Sequence, residues 1–112
     1  MVHYPDRLDA GFAALSDPTR RGILERLGRG DASISDLAQD FEMTLTGLKK
    51  HVGILESAGL VNTRKVGRVR RCTLGARQLD LEAAWMARHK QMLEKRLDRL
   101  GAFLERTKGN ES

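Results

Sequence analysis

Leu45, Leu48, Val52 and Leu55 recur at spacings of three and four, which predicts a helix with a single apolar stripe. Thr44 stands where an N-cap belongs, and Ala58-Gly59-Leu60 supplies the stop, with Gly59 free to take the left-handed conformation. The period then drops to two. Val61–Val66 and Val69–Leu74 flank Gly67-Arg68, a Gly-X pair of the kind that closes a two-residue hairpin. With Val66 opposite Val69, the residues Val61, Thr63, Cys72 and Leu74 share one face, and Arg64 faces Arg71 on the other.

Upstream, Asp17-Pro18 reads as N-cap and first residue of a helix whose apolar side is Ile23, Leu24 and Leu27 and which ends at Gly28 and Gly30. Ser33 and Asp36 resemble a capping box, opening a short helix with Leu37, Ala38 and Phe41 inward. Between Phe41 and Thr44 there is room only for a tight turn, so Ser33 to Ser57 has helix-turn-helix spacing. Downstream, Met86, Leu93, Leu97, Leu100 and Leu104 alternate by four and three once Lys90 is allowed as an interruption, and Trp85, Met92 and Phe103 widen the stripe. That is more apolar surface than a small core covers. Part of it is expected to pack on a second copy, with Leu8, Phe12 and Leu15 of an N-terminal helix as a second layer. The expected fold is mainly α with a small β-hairpin wing, one winged helix-turn-helix domain over 1–112, with a core at 6–75 and a dimerisation helix at 78–107.

The polar positions carry the chemistry. Opposite the apolar stripe of the 44–57 helix lie Thr46, Lys50, Gly53 and Ser57, with Lys49 on one flank and Gly47 and His51 on the other. Small residues, hydroxyls and cations suit entry into a major groove about 12 Å wide. Each interior glycine costs on the order of 1 kcal/mol relative to alanine, and close backbone approach to DNA supplies a reason for two. Arg64, Lys65, Arg68, Arg70 and Arg71 then fall within eight residues that contain no acid. Two arginines across a ladder repel each other unless something anionic lies beside them. Such cations also protect a solvated edge strand from aggregation. Next to a basic helix, phosphate contact is the favoured reading. The candidate DNA-binding set is Thr44, Thr46, Gly47, Lys49, Lys50, His51, Gly53, Arg64, Lys65, Arg68, Arg70 and Arg71.

Asp17-Pro18-Thr19-Arg20-Arg21, the segment from Phe41 to Leu45, the Lys50-His51 pair and LESAGLV ending at Val61 together closely resemble the ArsR-type winged-helix repressors of bacteria and archaea. The resemblance runs from about Leu8 to the C-terminal helix. It implies a homodimeric repressor on a palindromic double-stranded DNA operator, with the 44–57 helix in the major groove and the wing on the flanking backbone. TLTGLKKHV looks like a non-metal-sensing branch, often encoded beside small ligand-binding or stress-related proteins. The chain departs from the common pattern at Gly53, more often Lys or Arg, and at Lys49, more often Ser. The family's metal sites also find no match: the Cys-x-Val-Cys pair is absent, and Asp80-Leu81-Glu82 and His89 to Met92 do not reproduce Asp-x-His followed by His-x-x-Glu. Glu82 and His89 alone fall short of the roughly four ligands zinc takes. No metal or other cofactor is expected.

Composition narrows the remaining classes. The 112 residues carry a formal charge of +5, which favours polyanions, as does a pI near 9.9. No run approaches the roughly 18 apolar residues of a membrane span and the start has no signal-peptide core, so a cytoplasmic protein without membrane partners is expected. His3, His51 and His89 lie far apart and outside any acid/base or nucleophile motif, and no nucleotide-type glycine loop is present. The single cysteine, Cys72, reads as a small buried hydrophobe. An enzyme is not expected. The alternative class is a dimeric helical adaptor whose basic hairpin docks an acidic protein or RNA, and Gly47 and Gly53 favour DNA over it. The inducing ligand and the operator sequence stay unassigned.

Overall fold

The computed structural model describes residues 4–77 and 79–110. The elements are α1 (Tyr4–Leu15), α2 (Pro18–Gly28), β1 (Ala32–Ser33), α3 (Ile34–Asp40), α4 (Leu45–Ser57), β2 (Val61–Val66), β3 (Val69–Leu74) and α5 (Asp80–Asn110). By contact they group into two compact units, one through Asp80 and one from Leu81 onward. The predicted dimerisation helix at 78–107 corresponds to α5, with position 78 outside the described residues.

Each short helix begins where its cap directs it. The Asp17 carboxylate accepts from the Arg20 N–H at 3.1 Å, the Ser33 hydroxyl from the Asp36 N–H at 3.0 Å, and the Thr44 hydroxyl from the Gly47 N–H at 3.0 Å. The helix ends are closed with equal care. After α4, Gly59 takes φ +78° while the Gly59 and Leu60 N–H groups return to the carbonyls of Glu56 and Leu55. This double return satisfies two carbonyls the helix leaves open. After α3 the same pair of bonds runs from Glu42 and Met43 to Gln39 and Ala38, with Glu42 at φ +52° doing the work usually given to glycine. That left-handed turn is what makes the α3–α4 connection so short.

The hairpin has the predicted register: Val66 pairs with Val69 and Arg64 with Arg71. Gly67 has φ +63°, and Arg68 is not among the positive-φ residues, as a turn with glycine at its first central position requires. The sheet holds a third strand that the hydrophobic pattern did not predict. β1 lies antiparallel on β3, Ala32 opposite Cys72 and Ser33 opposite Arg71, giving the order β1-β3-β2.

The core of the first unit gathers Ile23, Leu27, Leu37, Leu48, Val52, Leu55, Leu60, Val61 and Cys72. One member of the predicted stripe is missing from it. Leu45 is 47% exposed, whereas Leu48, one turn on, is fully buried. Leu45 sits in the first turn of α4, outside the packed body of the unit. Two further glycines prove structural: a Cβ on Gly22 would come within 2.8 Å of the Phe41 ring, and one on Gly75 would run into the Gly59 backbone. In the second unit, α5 is exposed from Ala83 to Lys108, including Trp85, Met86, Met92, Leu93, Leu97, Leu100, Phe103 and Leu104. Leu8, Phe12 and Leu15 of α1 are half-buried.

Candidate nucleic-acid interface

α4 presents Thr46, Lys49, Lys50 and Ser57 to solvent on the side opposite Leu48 and Leu55. The two glycines of this helix differ. A Cβ on Gly47 would meet Thr44 Oγ1 at 3.2 Å and Met43 Cε at 3.3 Å, so the cap itself favours glycine there. Gly53 has nothing within 4 Å of that position. Of the two, only Gly53 has no reason inside the chain to be glycine, and close approach to DNA supplies one for that residue alone.

His51 departs from its predicted place on the groove flank. It is half-buried, its Nδ1 lying 3.1 Å from Arg20 Nη1 and 3.9 Å from Asp17 Oδ2. Since arginine only donates, the short contact makes Nδ1 the acceptor. Arg20 also donates to the carbonyls of Ala14 at 2.7 Å and Ala13 at 3.0 Å, so one side chain ties the end of α1 to α4 through His51. The Arg20 backbone N–H holds the Asp17 carboxyl below the usual aspartate range; burial pushes the other way, and the Thr19 N–H and the neighbouring His51 and Arg20 add to the lowering. These residues tie α4 to the end of α1 and the start of α2 rather than facing outward.

The wing is attached to α4 by a residue that the sequence reading passed over. Glu56, the one acid of α4, accepts from the Thr63 hydroxyl at 2.8 Å and the Thr63 N–H at 3.3 Å; Thr63 in turn accepts from Arg70 Nη1 at 3.0 Å. A glutamate in a basic helix immediately before the hairpin was the available signal. Thr63 shares its face with Cys72, which is fully buried. Burial pushes the Cys72 thiol up, Glu56 adds to the shift and Arg70 offsets part of it.

Strand alternation divides the five wing cations. Lys65 and Arg70 are cross-strand partners on the face of Thr63 and Cys72, and with Arg68 and Lys49 they line a groove between α4 and the wing that also includes Ser35, Leu45 and Val69. Arg64 and Arg71 lie on the opposite face, beside Asn62, Thr73 and Asp31. The twelve residues of the candidate set are therefore not one patch. Thr46, Lys49, Lys50, Gly53, Lys65, Arg68 and Arg70 belong to the outer side of α4 and its groove; Thr44, Gly47 and His51 support α4; Arg64 and Arg71 face elsewhere.

Among the described residues no group of three or more His, Cys, Asp and Glu is placed to hold a metal ion, and no helix is long and apolar enough to cross a membrane.

Known proteins share both sequence and architecture. The helix-turn-helix domain family HTH_20 matches residues 15–64. The HTH-type transcriptional regulator Rv2034 of Mycobacterium tuberculosis is 34% identical over 82 residues, covering 69% of this chain and 77% of that protein. The transcriptional repressor SdpR of Bacillus subtilis is 33% identical over 75 residues, 67% of this chain and 83% of that one. Among solved structures, the ArsR family transcriptional regulator RHA00566 superposes with a TM-score of 0.77 at 42% identity, over 84% of this chain and 97% of that one. The homodimeric winged helix-turn-helix DNA-binding domain of Mb0332 from Mycobacterium bovis gives 0.63 at 25% identity, over 80% and 84%. By sequence and by fold, this chain belongs to the ArsR family of winged helix-turn-helix transcriptional regulators, DNA-binding proteins rather than enzymes.

Proposed function

We propose that the protein is a homodimeric repressor that binds a palindromic operator, placing α4 of each protomer in the major groove and the wing on the adjoining backbone. The observation that carries this reading is the α4–wing groove, where Lys49, Lys65, Arg68 and Arg70 converge without an acid among its lining residues. Phosphates fix the register of such a surface, and the outward residues of α4 read the bases. Residues 6–75 form the DNA-binding core, and 78–107 supply the dimer contact. Eight large apolar side chains of the 31-residue α5, from Trp85 to Leu104, are exposed in the monomer, and SdpR is a repressor and the Mb0332 domain a homodimer. The protein works in the cytoplasm.

Footprinting the purified protein on the DNA immediately upstream of its own gene tests the proposal. Two protected tracts about 10–10.5 bp apart, centre to centre, on one face of the duplex and related by a two-fold are expected. Protection without such symmetry, or none at concentrations where the protein is dimeric, contradicts it.

A further inference from the structure

The side chains that α4 offers to a major groove include few of the usual bidentate readers. Adenine is normally recognised by Asn or Gln, which α4 lacks, and guanine by Arg or Lys, of which α4 carries only Lys49 and Lys50. Its acid, Glu56, is held by Thr63, and His51 is held by Arg20. What remains is two lysines, two hydroxyls of broad base tolerance, and two large apolar side chains that the core does not take up. Leu45 is 47% exposed and Ile54 is 43% exposed, although Leu48, Val52 and Leu55 on the same helix are buried. Leu45 is the first residue of α4, at the end from which such helices approach base edges. Ile54 lies nine residues further, about 13 Å along the axis and half a turn around it, so the two flank the outward side of α4 and meet different base steps. The major groove displays one apolar group, the C5 methyl of thymine.

We infer that Leu45 and Ile54 are specificity-determining residues that read thymine methyls, so that each half-site is defined by thymines at two separated positions. The inference rests on the DNA-binding reading above. Covering one methyl is worth about 0.8 kcal/mol, close to a fourfold change in affinity, and a two-fold dimer makes the contact twice, giving about fifteenfold for a symmetric pair.

The test uses the full-length protein. A duplex is selected from a random pool, each symmetric pair of thymines is replaced by deoxyuridine, which lacks only the methyl, and affinities are measured for the parent, Leu45→Ala and Ile54→Ala. Both residues are exposed, so the alanine variants keep the core intact. One thymine pair whose replacement costs the parent about fifteenfold but costs Leu45→Ala less than twofold, and a second pair with the same relation to Ile54→Ala, is the expected result. Three results overturn it: deoxyuridine is neutral at every thymine; its cost is the same in parent and variants; or only 7-deazaguanine weakens binding, which assigns the reading to Lys49 or Lys50. Each of these leaves DNA binding standing. A pool from which no duplex is enriched overturns the DNA-binding reading and, with it, this one.

Discussion

Replacing Gly53 by alanine should move stability and DNA affinity in opposite directions. Glycine in a helix interior is destabilising by about 0.5–1 kcal/mol relative to alanine, because the unfolded chain has more conformations to lose. Gly53 is in the interior of α4 and a Cβ there has no neighbour within 4 Å, so nothing in the protein offsets that gain. Gly53→Ala should therefore raise the midpoint of urea unfolding by an amount equivalent to about 0.5–1 kcal/mol, measured at fixed protomer concentration so that dimerisation does not shift the comparison. If α4 brings its backbone against the duplex at this point, the added methyl must be accommodated in a packed interface at a cost of about 1–3 kcal/mol per half-site, read by fluorescence anisotropy on a labelled operator. Gly22→Ala is the control: with Phe41 Cε1 only 2.8 Å away, it should lose stability. Unchanged operator affinity in a stabilised Gly53→Ala protein refutes the close-approach argument. Loss of stability refutes the claim that the position is open.

Three other outcomes are expected. Arg68→Ala at the wing tip should weaken binding to all duplexes alike, whereas Thr46→Ala or Lys50→Ala should blunt the preference for operator over random DNA in competition assays; equal loss of preference from both elements contradicts the division of labour. Asp17 has a depressed carboxyl pKa in the folded state, so its contribution to stability is present above the usual aspartate range and is lost as pH falls through and below it. The stability gap between the parent and Asp17→Ala should shrink on acidification, and a gap that widens in acid reverses the sign of the argument. Leu97 is 57% exposed on α5, so Leu97→Glu leaves the chain's own core untouched; at a dimer seam the two buried charges cost on the order of 3 kcal/mol or more, a shift above a hundredfold in dimer dissociation. Light scattering that finds the variant still dimeric at low concentration removes α5 from the interface.

What was legible in the chain was what local chemistry determines. Asp17, Ser33 and Thr44 cap helices because a short polar side chain at the start of an apolar period has few other uses, and the Gly67-Arg68 turn set the hairpin register down to Arg64 opposite Arg71. β1 was not legible, since two residues are too few to display a period and Ala32 and Ser33 are held by pairing with a strand some 40 positions away. Leu45 was misplaced because its spacing fits the stripe while its position, in the first turn, lies beyond the body the stripe packs on. The Asp17, Arg20 and His51 contacts join positions 31 and 34 residues apart, a separation on which periodicity is silent. For the candidate interface, the sequence supplied the residues and the pleat sorted them: Lys65 and Arg70 toward α4, Arg64 and Arg71 away from it.

The salt dependence of operator binding tests the central claim most directly, because it counts the cations that meet phosphate. Four line the α4–wing groove in each protomer, and the two-fold doubles them, so log K should fall with log salt at a slope of about −7. Arg64→Ala with Arg71→Ala should leave that slope in place, and Arg70→Ala should reduce it by about two per dimer. A slope shallower than about −2, or one that responds equally to changes on both faces of the wing, contradicts a protein that grips DNA in the groove between α4 and the wing.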